Sequence, residues 1–160
     1  MDRQFSAAFE SQDLSKQIKI MKIMWGSMLF SLLVYFLISL GQINIFNIVL
    51  NKELSDKIRP ILYVISIITL IATRFIRKLW LKKGPVSPLA PNPEIARYRG
   101  AMVISLSLSE AIGVYGVILY AMGKNKTDLY LLLLVAVAAM IMYRPKKGEI
   151  INLAQEEIRP

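Results

Sequence analysis

The apolar residues of this chain are gathered into four blocks, at about 20–40, 58–75, 95–122 and 129–143, each edged by lysines, arginines or prolines. No other feature narrows the fold as much. A run of about 20 apolar residues rising ~1.5 Å per residue crosses the ~30 Å hydrocarbon core of a bilayer. Inside lipid the backbone must satisfy its own hydrogen bonds, and a run of that length does so as an α-helix. The expected fold is therefore all-α: a polytopic membrane protein with four transmembrane helices arranged as two helical hairpins. The chain is 55% hydrophobic with mean hydropathy +0.48, more apolar than an ordinary soluble domain.

The expected layout is one membrane domain over residues 1–160. Residues 1–19 form a polar N-terminal segment, read as a short cytoplasmic or interfacial helix. A signal peptide would open on a basic stretch, and this segment carries Asp2, Glu10 and Asp13. Residues 20–80 make the first hairpin. Its connection runs from Gly41 to Arg59, with Pro60 suited to the first turn of the second helix. Residues 81–94 are a proline-rich loop. Its Pro-x-x-Pro spacings, Pro85 to Pro88 and Pro88 to Pro91, match a recognition motif, but a stiff connector explains them more simply. Residues 95–144 make the second hairpin, with Thr127 as the expected N-cap of its second helix. Residues 145–160 form a polar tail with room for one short amphipathic helix. The four spans are expected near 20–42, 58–80, 95–122 and 127–144.

Charge sets the expected orientation. Of the 20 lysines and arginines, 15 fall on the N-terminal segment, the 81–94 loop with its edges, and the tail, and 5 on the two other connections. By the positive-inside rule both termini and the central loop are cytoplasmic. That implies a multi-pass protein of the bacterial cytoplasmic (inner) membrane. The net charge of +9 is accounted for by these flanks, so no nucleic-acid partner is expected. The expected partners are the lipid bilayer and other membrane subunits or further copies of the chain.

The chain has no histidine and no cysteine. Thiol catalysis, disulfides, the usual zinc sites, axial haem ligation through His or Cys, and histidine general bases are thereby excluded. Glu94, Asp128 and Glu149 fall in no catalytic spacing, and no phosphate-binding glycine loop is present. The expectation is a protein that is not an enzyme and takes no cofactor or metal.

The third block holds the chemistry. Ala101, Ser105, Ser109 and Gly113 recur every four residues, which lines them on one helix face and makes a groove for close helix contact. Glu110 sits 11 residues from Arg99 and 14 from Lys124, about 17 and 21 Å along a helix, close to the bilayer midplane. A charged carboxylate there is costly, so the expected state is neutral and hydrogen-bonded between helices. No lysine or arginine matches its depth, and the candidate partners are hydroxyls: Ser107 on the same helix, Ser31 and Tyr35 on the first, Tyr63 and Ser66 on the second. Two uses stay open: packing between helices, and binding of a proton or cation.

Two resemblances follow from these residues. Pro93-Glu94, Glu110-Ala111 and Tyr115-Gly116 within residues 93–122 resemble the second helix of the proteolipid subunit of ATP synthase c-rings. That likeness implies a proton- or cation-binding role for Glu110. The chain departs from the family at Pro91-Asn92, where the family has Arg-Gln, in having no glycine over residues 58–77, and in its fourth span. The whole layout is similar to small uncharacterised four-span bacterial membrane proteins, a likeness that implies no activity. The role expected first is an accessory or assembly subunit of a membrane complex, with a small proton or cation carrier or channel as the alternative.

Overall fold

The computed structural model describes residues 2–40, 52–85, 93–146 and 148–149, with side chains from Ser15 onward apart from those of residues 52, 53, 55 and 94. They form four helices: α1 (Asp2–Leu40), α2 (Lys52–Lys83), α3 (Pro93–Gly123) and α4 (Lys126–Met142). Three of them contain stretches long and apolar enough to cross a membrane: Ser15–Leu40, Asp56–Lys83 and Ile95–Gly123. The chain is thus a helical, multi-span membrane protein. At 17 residues, α4 sits at the short end of the spanning range.

Two helices begin earlier than hydropathy suggests. Residues 2–19 are no separate interfacial element but the first turns of α1. Nothing between Asp2 and Trp25 is Gly or Pro, so no residue breaks the helix where the apolar block starts. Likewise α2 takes in residues 52–59, which leaves Pro60 inside the helix instead of in its first turn. Residues 41–51 of the first connection and 86–92 of the proline-rich loop fall outside the described residues, as does the tail's expected amphipathic helix.

The helix ends have local causes. At the end of α2 the Gly84 N–H still donates to the Trp80 carbonyl at 2.8 Å, and Pro85 next to it stops the helix, since a residue before proline disfavours the α conformation. Pro93 opens α3, where its missing N–H costs nothing. Between α3 and α4 the cap is Asn125 and not Thr127. The Asn125 side chain accepts the Thr127 N–H at 3.0 Å, while Lys124 takes a left-handed φ of 53°. Asn is among the strongest N-caps, and its earlier position lets α4 start at Lys126. At the far end Tyr143 caps α4, its N–H reaching the Ala139 carbonyl at 3.1 Å.

α3 is the centre of the bundle. It packs extensively against α2 and α4, and α1 leans more lightly on α3 and α4. Ala101, Met102, Ser105, Leu106, Ser109, Ile112, Gly113, Gly116 and Leu119 of α3 are all buried, on more than one face, as a helix with neighbours on several sides requires. Pairings across the helices fix directions. Arg59 near the start of α2 meets Asp128 at the start of α4, and Trp25 of α1 donates its indole N–H to the Met140 carbonyl at 2.9 Å. So α2 and α4 run parallel, and α1 runs against α4. The outward faces of α1 and α2 are apolar: Ile23, Phe30, Ile61, Ile67, Phe75 and Leu79 are each exposed by more than half. A water-soluble monomer seldom shows such a surface, and a bilayer covers it.

Candidate functional site

The hydroxyls within the helices are mostly spent on their own backbone. Ser105 donates to the Ala101 carbonyl at 2.7 Å and Ser109 to the Ser105 carbonyl at 2.8 Å. Ser66 and Thr73 on α2 do the same with Leu62 and Thr69. Bonds of this kind hide the polar group inside the helix's own turn. They let Ser105 and Ser109, both at most 1% exposed, sit in a tight interface with no unmet donor. Ala101 and Gly113 are buried beside them. At Gly113 a Cβ would come 2.6 Å from the Leu32 Cδ2 of α1, so the Leu32 side chain occupies the space a Cβ would need.

One turn before Gly113 on the same helix lies Glu110, half-buried. Its Oε1 is 2.5 Å from the Ser31 hydroxyl of α1, and Tyr35, one turn further along α1, interacts with the same carboxylate. The Ser31 hydroxyl is also 2.7 Å from the Met28 carbonyl. A serine has one proton to donate, yet Ser31 stands between two acceptors. Both contacts are satisfied together when the carboxyl supplies the second proton, donating to Ser31 as Ser31 donates to Met28. Among the described residues no lysine or arginine pairs with Glu110.

The other hydroxyls expected near Glu110 are elsewhere. Ser107 is exposed on the outer face of α3. Ser66 is turned into its own helix. Tyr63 donates to Asp128 Oδ1 at 2.8 Å, at the end of the bundle. A long side chain on a helix leans toward that helix's N-terminus, which carries the Tyr63 hydroxyl away from the Glu110 level.

Two ionic clusters cannot be read as pairs from the sequence. At the start of α4, Asp128 is 3% exposed and receives Arg59 Nη2 at 2.6 Å as well as the Tyr63 hydroxyl, both on Oδ1. The helix N-terminus adds its own favourable field. At the opposite end Arg77 Nη2 donates to Glu149 Oε2 at 2.8 Å. These partners are 69 and 72 residues apart in sequence, so no local spacing announces them. The one available signal is depth: Arg59 and Asp128 stand at the ends of blocks on the same side of the expected topology. Among the described residues no group of acidic side chains is gathered that could hold a metal ion.

Compared with models of known protein families, with curated proteins and with solved structures, the chain finds no match, and its function is argued from the geometry above.

Proposed function

We propose that this chain is a four-span integral membrane protein that works as a non-enzymatic accessory or assembly subunit of a membrane complex. The observation that carries the reading is how Glu110 is used. The one carboxyl at mid-depth meets a hydroxyl of the neighbouring helix at 2.5 Å, at the level where Gly113 admits Leu32. It joins α1, the lightly packed helix, to α3, the central one. What the bundle then offers outward is apolar helix surface on α1 and α2, suited to lipid and to the helices of another subunit or a further copy.

The fourth span is part of this proposal. Arg59–Asp128 and Arg77–Glu149 tie α4 and its following residues to α2 at two levels, which supports α4 crossing alongside residues 59–77 of α2. The 15-to-5 division of basic residues supports both termini on the cytoplasmic side of a bacterial inner membrane.

Crosslinking in the native membrane, followed by purification in native lipids, tests the role. The expected result is a stoichiometric membrane partner that stays bound when Glu110 is changed to Gln. A lone monomer or homo-oligomer would count against it.

The second reading is a small proton or cation carrier or channel, and the Ser31 proton count favours the proton. The hydroxyl stands between two acceptors, so the pair is best satisfied with a shared carboxyl proton. In that case Glu110→Gln folds normally but abolishes proton flux into proteoliposomes, and wild-type protein reconstituted alone conducts.

A further inference from the structure

Where α2 ends, Arg77 is enclosed by three elements. Its side chain is 12% exposed. Its guanidinium lies 5.6 Å from the centre of the Tyr98 ring of α3 and 5.3 Å from that of the Tyr143 ring at the end of α4. Nη2 donates to Glu149 Oε2. The Tyr98 hydroxyl donates to the same oxygen at 3.2 Å and accepts the Lys146 N–H at 3.2 Å. Lys146 Nζ is 3.7 Å from Glu149 Oε1. Nη1 of Arg77 is buried and has no hydrogen-bond partner among the described residues.

A buried charged donor left without an acceptor is expensive, and folded proteins seldom tolerate one. The rings face the guanidinium but give Nη1 no oxygen. Glu149 engages only Nη2, and its own side chain is 41% exposed. It stands beyond Pro145, on residues outside α4. A phosphate differs from this carboxylate in having more acceptor oxygens, and it matches the guanidinium fork with two parallel bonds.

Depth points the same way. Arg77 is six residues before the end of α2, about 9 Å along the helix. Trp80, Tyr98 and Tyr143 share its level, as aromatic residues do near lipid headgroups. Lys78 and Lys82 lie at the same end of α2 and raise the local concentration of anions.

We propose that the Arg77 cluster is a binding site for a phosphate oxyanion, carried by an anionic lipid headgroup or taken free from solution, and that the Glu149 carboxylate is its displaceable stand-in. The phosphate takes Nη1 and Nη2 together, with Lys146 Nζ as a third donor, and Glu149 swings outward. The site is independent of Glu110 and of any partner subunit.

The test uses the full chain in nanodiscs of phosphatidylcholine with or without phosphatidylglycerol, and reads lipid retention by native mass spectrometry. Wild type should retain phosphatidylglycerol in preference to phosphatidylcholine. Glu149→Gln should strengthen that preference about tenfold, since one charge-assisted competitor is removed. Arg77→Gln should abolish it, and Arg77→Lys should lose most of it while keeping the charge. Arg74→Gln, an exposed cation at the same end, should change it little. Stabilisation by millimolar inorganic phosphate in pure phosphatidylcholine, absent in Arg77→Gln, would assign the free anion as the source. Stabilisation by phosphatidylglycerol alone would assign the headgroup. Equal losses in Arg74→Gln and Arg77→Lys would reduce the effect to general surface charge and overturn the site. So would a Glu149→Gln variant that binds no better than wild type.

Discussion

Ser31 illustrates how much one proton can decide. Its hydroxyl is within bonding distance of a backbone carbonyl of its own helix and of Glu110 on the next. Removing the hydroxyl leaves the carboxyl with Tyr35 and takes away the contact at 2.5 Å. Ser31→Ala should therefore cost about 0.5–1.5 kcal/mol, the usual net worth of one hydrogen bond, since the half-buried carboxyl keeps Tyr35. Glu110→Gln should cost less, because the amide keeps a donor and an acceptor in the same place. Thermal unfolding in detergent checks both, and a Gln variant less stable than the Ala variant would contradict the hydrogen-bond assignment. The neighbourhood of Glu110 was partly legible in the sequence. Matching depth along antiparallel helices narrowed its partners to a few hydroxyls, but depth carries no information about azimuth. Ser107 has suitable depth but is exposed on the outside, the buried Ser66 hydroxyl is bonded to the Leu62 carbonyl, and Tyr63 is drawn off by Asp128.

Among the elements, the four helices follow directly from the blocks of apolar residues, whereas their starts do not. Hydropathy marks where a helix meets lipid, and a helix of polar residues such as 2–19 continues invisibly past that point. The interfaces are marked by glycine. Gly100 has no space for a Cβ because the Trp80 indole N–H of α2 lies against it, while Gly26 on α1 has nothing within 4 Å. Gly26→Ala should thus stabilise α1 by up to about 1 kcal/mol through helix propensity alone. Gly100→Ala has the same intrinsic gain but must displace Trp80, so it should lower stability and shift the tryptophan emission. Gly113→Leu should act on a different element. It drives a bulky group into Leu32 and loosens α1, at an overpacking cost of about 1–3 kcal/mol. Limited proteolysis should then cut near the junction of α1 with the rest before α2, α3 and α4 come apart. Simultaneous loss of all four helices would show that α1 is no separable element.

For the whole molecule the open question is whether α4 crosses the bilayer, since length leaves it at the margin. The ion pairs bear on this more than hydropathy does. Arg59 and Arg77 are 18 residues apart on one continuous helix, about 27 Å, close to the thickness of a hydrocarbon core. Asp128 meets the first of them at the start of α4 and Glu149 meets the second beyond its end. Two ties to α2 that far apart, one at the start of α4 and one seven residues past its end, favour the proposal that α4 covers the same depth. In the proposed four-span topology, positions 84 and 148 share one side of the membrane and position 124 lies on the other. Reporter domains fused after Gly84, Lys124 and Gly148 should read cytoplasmic, external and cytoplasmic. In that proposal the basic residues set the absolute sense, and the ion pairs set the relation between the two hairpins. Moving charge should separate these contributions. Adding lysines around Lys124 should weaken or invert the orientation of the bundle as a unit, with 84 and 148 still reporting the same side. Fusions at 84 and 148 that report opposite sides would mean that α4 does not follow α2 through the bilayer.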